Sequence, residues 1–152
     1  MSKPLEGLKV ACYYGCLITR PAKLTGVAHY EYPQQMDELM RALGAETVDW
    51  SFKTECCGNS LSLTQTEVAT ELSGRVVQNA RDCGAEAVVT MCPMCHLNLD
   101  ARQPEMGLEA PVPILHATQL MLLAFGDDEG TAELSKNITD PRPLLNAKGV
   151  LG

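Results

Sequence analysis

The chain is most legible at Ala85-Glu86-Ala87-Val88-Val89-Thr90-Met91-Cys92-Pro93-Met94-Cys95. The first part of this stretch is a short run of small and β-branched apolar residues, the pattern of a buried strand. Two cysteines follow at once. Pro93 between them suits the first turn of a helix, where its missing N–H would have no partner in any case. The stretch therefore predicts a strand, a tight turn carrying Cys92, and a helix from Pro93 to about Arg102. The N–H groups and dipole at that helix start favour thiolates on Cys92 and Cys95.

The same order recurs on both sides. Upstream, Leu8 to Tyr14 reads as a strand that runs through the turn residue Gly15 into Cys16. Residues 17–33 read as a loop broken by Pro21, Gly26 and Pro33, with Arg20 and His29 in it. Gln34 to Leu43 predicts a helix, because Met36, Leu39, Met40 and Leu43 fall on one stripe, and Gly44 ends it. Glu46 to Trp50 is a weak, polar strand suited to a sheet edge, and Ser51 to Gly58 is the loop that delivers Cys56 and Cys57. Thr66 is a candidate cap for a helix from Glu67 to about Asp82 with Val68, Leu72, Val76 and Ala80 in register. Gly74 weakens that helix by about 1 kcal/mol relative to Ala.

Downstream, Pro111 and Pro113 flank the entry to a fourth strand, Ile114-Leu115-His116. Ala117 to Phe125 is a helix apolar almost all round, which must be buried in the core or under a partner, and Gly126 stops it. Asp127 to Gly130 reads as a solvated turn. With Pro141 and Pro143 beyond it, residues 127–152 read as an extended C-terminal tail on a single domain spanning 1–152.

Strand and helix thus alternate four times. This predicts an α/β fold with a mainly parallel sheet of about four strands and flanking helices. Sites in such sheets form outside the C-terminal strand ends. Cys16, the pair Cys56 and Cys57, and the pair Cys92 and Cys95 follow the first three strands, and His116 ends the fourth. Separate parts of the chain are therefore expected to bring their cysteines to one edge.

Composition narrows the chemistry. With 152 residues, 45% hydrophobic and 20% charged, the chain has the make-up of an ordinary globular domain. A net charge of -7 excludes an electrostatic grip on nucleic acid. No run approaches the roughly 20 apolar residues of a membrane span, and residues 1–7 carry no apolar secretory segment, so the chain reads as cytoplasmic. Seven cysteines in such a setting, an odd number, point to metal binding or catalysis rather than disulfides.

Adjacent cysteines have Cα atoms only about 3.8 Å apart. That spacing is awkward around one metal ion but suits thiolates that share iron atoms. Five soft sulfur ligands favour iron–sulfur or zinc chemistry. Four of the five can hold zinc tetrahedrally, and zinc is the competing occupant in recombinant protein made without cluster assembly. A thioredoxin-like dithiol matches Cys92 and Cys95 alone and leaves Cys16, Cys56 and Cys57 unused. Cys12 reads as core and Cys83 as structural. For His116 a packing or capping role outweighs a ligand or proton-donor role, and His96 can simply face water. Arg20 and Lys53 are loop cations, either solvated or placed to offset thiolate or sulfonate charge.

Cys16, then Cys56-Cys57-Gly58, then Cys92-Pro93-Met94-Cys95 resembles the cysteine-rich CCG domain. Tyr13-Tyr14-Gly15-Cys16 with Thr19-Arg20-Pro21, His116-Ala117-Thr118-Gln119-Leu120, and Asp140-Pro141-Arg142-Pro143-Leu144-Leu145 are similar to the C-terminal half of the heterodisulfide reductase B subunit. The resemblance implies a noncubane [4Fe-4S] cluster held by Cys16, Cys56, Cys57, Cys92 and Cys95. It implies a part in disulfide cleavage or formation and electron transfer, with a disulfide or thiol as substrate. That B subunit carries two CCG repeats and this chain one. The implied partners are therefore a second CCG domain or chain and an iron–sulfur electron-donor subunit. The alternative reading is a metal-stabilised assembly module, holding zinc or a cluster, that docks into a redox complex through the apolar helix and the tail without touching substrate.

Overall fold

A computed structural model of the chain describes residues 2–151. Its centre is a four-stranded, all-parallel sheet in the order β2-β1-β3-β4, with β1 at Lys9–Tyr13, β2 at Glu46–Thr47, β3 at Ala87–Thr90 and β4 at Ile114–His116. The α/β expectation holds. β1 and β3 form the middle of the sheet, with Val10 opposite Ala87 and Tyr13 opposite Thr90. The polar segment predicted as an edge is the edge, but β2 keeps only two residues. Beyond Thr47 the chain turns aside so that Trp50 can bury its ring and donate its indole N–H to the Cys12 carbonyl at 3.2 Å.

Among the described residues seven α-helices surround the sheet: α1 at Ala22–Thr25, α2 at Gln35–Ala42, α3 at Thr66–Asp82, α4 at Pro93–Ala101, α5 at Ala117–Phe125, α6 at Asp128–Glu133 and α7 at Arg142–Ala147. Strand alternation divides the core in two. Val10, Cys12, Ala87, Val89 and Leu115 face one side, where Met36 and Met40 of α2 and Leu120 and Leu123 of α5 cover them. Ala11, Tyr13, Val88 and Ile114 face the other, against Val76, Val77 and Ala80 of α3 and Leu99 of α4. The buried Cys12 belongs to the first layer, as expected.

Three local expectations are corrected. Thr66 does not cap α3: it is the first helical residue, and its hydroxyl donates to the Ser62 carbonyl at 3.2 Å. The acidic run after Gly126 is not a free turn, because Asp127 caps α6 by accepting from the Glu129 N–H at 2.8 Å. Residues 127–151 are not an extended tail. They form α6, a short 3-10 turn at Leu134–Lys136 and α7, and they bury Leu134, Leu145 and Val150 in the layer that contains α5. The apolar α5 is thus covered by the chain's own C-terminal segment. Burying those three aliphatic side chains, at about 1.5–3 kcal/mol each, outweighs the extended preference of a proline-containing stretch. Pro141 and Pro143 stand at the start of α7, where a missing N–H costs little. Met1 and Gly152 lie outside the described residues.

Gly74 lies inside α3, and a Cβ there would meet nothing nearer than Met106 carbon atoms at 3.5 Å. Gly74→Ala should therefore stabilise the chain by about 0.5–1 kcal/mol, measured by urea unfolding. Glu86 joins the C-terminal segment to the sheet by accepting from Lys148 Nζ at 2.7 Å and the Lys9 N–H at 3.1 Å. Partial burial raises its pKa, but these two donors outweigh it and hold the carboxyl below its usual range. Its contribution is therefore present at neutral pH and lost as pH falls through the depressed value. Glu86→Gln should cost under about 1 kcal/mol at pH 7, and the difference from wild type should vanish in melts near pH 3.

Candidate cysteine-lined metal centre

The strand order reverses between β1 and β3, and such a reversal opens a crevice at the C-terminal ends of the two strands. Cys16 follows β1 through Gly15, and Cys92 follows β3. Cys92 is also the residue that caps α4, so Pro93 opens that helix as predicted and carries Cys95 in its first turn. Cys56 and Cys57 arrive in the loop before α3. All five cysteines are brought to this edge, as anticipated. Cys57 and Cys95 are buried, Cys16 and Cys92 half-buried and Cys56 exposed, so the group has an inner floor and an open side.

The sulfurs sit close enough to act on one another: Cys57 Sγ and Cys95 Sγ are 3.6 Å apart, Cys56 bears on the titration of Cys16, and Cys92 on that of Cys95. Hydrogen bonding with Cys95 pulls the Cys57 thiol down; burial opposes this, while the Asn59 N–H, Asn98 and Tyr13 assist. Donation to Cys57 pushes Cys95 up, and burial adds to this. Burial also raises Cys16, reinforced by the charge of Cys56. Among the described residues no three His, Cys, Asp or Glu side chains are gathered tightly enough around one point for a single metal ion.

Two glycines make room for this cradle of thiols. Gly15 has φ +67°, and a Cβ on it would lie 3.0 Å from Cys95 Sγ. Gly58 has φ +75°, and a Cβ on it would lie 2.7 Å from the Ala69 Cα, which is backbone and cannot yield. The Cys56-Cys57-Gly58 turn therefore packs directly on α3. The Gly58 N–H points back to Cys56 Sγ at 3.3 Å.

A layer of polar side chains that sequence reading missed holds Cys57. Its carbonyl accepts from Ser73 Oγ at 2.7 Å and from Asn98 Nδ2, and Asn98 also donates to Ser73 Oγ at 2.9 Å. Arg102 Nε and Ser62 Oγ in turn donate to Asn98 Oδ1, at 2.5 and 3.0 Å. Tyr13, fully buried, donates its hydroxyl to the Glu55 carbonyl at 2.6 Å, immediately before Cys56. The signal for these residues was present but faint: Asn98 and Ser73 are polar residues on the inward faces of two helices.

The remaining candidates sort clearly. His116 is the cap of α5. Its Nδ1 accepts from the Thr118 N–H at 3.4 Å and contacts Thr118 Oγ1 at 2.8 Å, while Nε2 lies 3.0 Å from the Met91 carbonyl. These contacts cap the helix and tie the ring to the end of β3, so His116 has a structural role. His96 does not simply face water. It stacks on His116 at 6.3 Å between ring centroids, and burial lowers its pKa. Lys53 is not a loop cation facing the thiolates; it is wholly buried against Asp37 at 2.8 Å. Arg20 is exposed and reaches Thr54 Oγ1 at 3.5 Å. Cys83 lies exposed at the end of α3, away from the cradle. Around the cradle the apolar side chains of Leu17, Met91, Met94 and Leu97 are 48–75% exposed.

A parallel sheet that gathers cysteines from three loops at its switch point defines a cysteine-rich α/β domain. The model of one such family, CCG, described as a cysteine-rich domain, matches residues 10–100, and the chain belongs to that family. It is 33% identical over 148 residues to the 8-methylmenaquinol:fumarate reductase membrane anchor subunit of Wolinella succinogenes, covering 95% of this chain and 52% of that one. It is 35% identical over 132 residues to the B subunit of the ferredoxin/F(420)H(2)-dependent CoB-CoM heterodisulfide reductase of Methanosarcina acetivorans, covering 83% and 44%. To the B subunit of the ferredoxin:CoB-CoM heterodisulfide reductase of Methanosarcina mazei it is 34% identical over 134 residues, covering 83% and 44%. The chain thus spans about half the length of these relatives. Among its described residues no helix is long and apolar enough to cross a membrane.

The backbone contact at Gly58 can be tested against a glycine of similar φ. Gly84 has φ +88° and open space around it. Gly84→Ala should cost about 1–2 kcal/mol for the left-handed backbone alone. Gly58→Ala should cost about 1–3 kcal/mol more from the clash, read as the difference between the two urea midpoints.

Proposed function

We propose that this chain is an iron–sulfur unit of a heterodisulfide-reductase-like complex, in which Cys16, Cys56, Cys57, Cys92 and Cys95 hold a noncubane [4Fe-4S] cluster. The observation that carries this reading is the convergence of five thiols, two of them adjacent in sequence, on one strand edge. The donor set fits such a group: soft sulfurs, one of them already drawn toward thiolate, over a floor kept open by Gly15 and Gly58. When bound, a cluster of this kind supplies electrons one at a time and an iron that can meet sulfur.

The chain's own residues supply the rest. Ser73 and Asn98 anchor the Cys57 backbone, Tyr13 anchors the residue before Cys56, and the start of α4 presents Cys92 and Cys95. The exposed side of Cys56 and half-exposed Cys16 and Cys92 leave an approach for a disulfide or thiol substrate. Cleaving a disulfide takes two electrons and two protons, and a single one-electron site does not deliver both electrons together. The chain therefore works with a second CCG domain or chain and an iron–sulfur electron-donor subunit, and exposed Leu17, Met91 and Met94 beside the cradle are suited to such a partner.

A second reading, electron transfer without sulfur chemistry, is favoured by the 33% identity to a fumarate reductase subunit over nearly the whole chain. One experiment separates the two. Protein made anaerobically with cluster-assembly machinery should contain about four irons and four sulfides per chain, with a paramagnetic signal that changes when thiol is added. A reducible signal indifferent to thiol would move the chain to electron transfer. One zinc without sulfide, persisting after reconstitution, would overturn both and leave a metal-stabilised assembly module.

A further inference from the structure

Lys53 and Asp37 are both completely buried and 2.8 Å apart. Lys53 Nζ also donates to the Pro33 carbonyl at 3.3 Å and lies 4.4 Å from the centre of the Tyr32 ring. The other oxygen of Asp37 accepts from the Tyr14 hydroxyl at 2.7 Å, and that hydroxyl accepts from the N–H groups of Met36 and Asp37 at 2.8 and 3.2 Å. The Lys53 carbonyl closes the circuit, accepting from the N–H groups of Tyr14 and Gly15 at 2.8 and 3.1 Å. Apart from Gly15, whose N–H the Lys53 carbonyl holds, none of these groups belongs to the cysteine cradle.

We propose that the Lys53–Asp37–Tyr14 assembly is a clamp that positions the cradle, setting the distance of Cys16 from Cys56 by locking the loop after β1 to the loop before α3. The proposal rests on the reading of those cysteines as cluster ligands. The clamp joins the backbone at Tyr14-Gly15-Cys16 to the backbone at Lys53-Thr54-Glu55-Cys56, with the start of α2 as the common anchor. Arg20 Nη2 to Thr54 Oγ1, at 3.5 Å, ties the same two loops a second time nearer the surface.

Energetics favour positioning over simple stabilisation. Withdrawing two ions from water is costly, and an apolar pair of similar volume often stabilises a core as well or better. An apolar pair, however, tolerates sliding. This assembly is satisfied in only one register: a small shift of either loop strands a buried charge or breaks a hydrogen bond from Tyr14. Ligands to a shared metal group have to be placed before it binds, and among the described residues no β-ladder spans these two loops to do so.

The test uses the full chain, first metal-free and reduced, at a temperature well below melting. Asp37→Asn with Lys53→Met removes both charges and keeps an amide acceptor for Tyr14; Tyr14→Phe removes a single hydroxyl and serves if the double variant fails to fold. The probe is bridging of Cys16 to Cys56 by dibromobimane, followed by peptide mass spectrometry. Misplacement should slow bridging about tenfold in variants that still melt cooperatively. After reconstitution they should hold less iron than wild type and give a broadened paramagnetic signal. Folded variants that bridge at the wild-type rate and give the wild-type signal would overturn the clamp and leave a merely structural ion pair. Failure of wild type itself to take up iron and sulfide would overturn the cluster reading instead, and the bridging rates would still decide the clamp.

Discussion

The parallel pairing of β1 with β3 governs everything at the cysteine edge. Val10–Tyr13 and Ala87–Thr90 lie in register at the centre of the sheet, buried on both faces. Parallel pairing forces both strands to end at the same edge. Because β2 lies beside β1 and β4 beside β3, the chain departs in opposite directions there and leaves a crevice between the departing loops. Cys16 and Cys92 are the residues that emerge into it. An antiparallel pairing of the same two strands would place their cysteines at opposite ends.

Around that crevice the chain is polar where cores are ordinarily apolar. Asp37, Lys53, Ser73, Asn98 and Asp100 are all buried, and all are paired. Asp100 accepts the N–H groups of Ile138 and Thr139 at 2.7 and 2.9 Å, which draws the C-terminal segment onto α4. Buried polar groups cost free energy unless every bond is made, so they admit few arrangements. Two of these groups hold Cys57, two link the loops of Cys16 and Cys56, and one braces the helix that carries Cys95.

The relatives share this half of their length and bear different names, a fumarate reductase subunit and heterodisulfide reductase subunits. In this chain the scaffold buries Cys57 and Cys95 on one side and leaves Cys56 exposed on the other. The thiols themselves are governed by groups within the domain.

Local chemistry is enough to specify the α/β class, the convergence of the five cysteines, the end of α5 at Gly126, and the burial of Cys12. Each follows from apolar periodicity, turn residues, and strands that end where cysteines begin, all of which can be read from the sequence alone. Other features depend on partners distant in the chain, and only folding settles them. The 127–151 segment carries proline and charge, which locally favour extension, yet Leu134, Leu145 and Val150 fold it over α5. Lys53 reads as a surface cation until Asp37 and Tyr14 are seen around it. Asn98 reads as an ordinary helical residue until the Cys57 carbonyl is placed beside it. Burial of a charge or an amide is set by what the rest of the chain brings to it, and no local pattern encodes that.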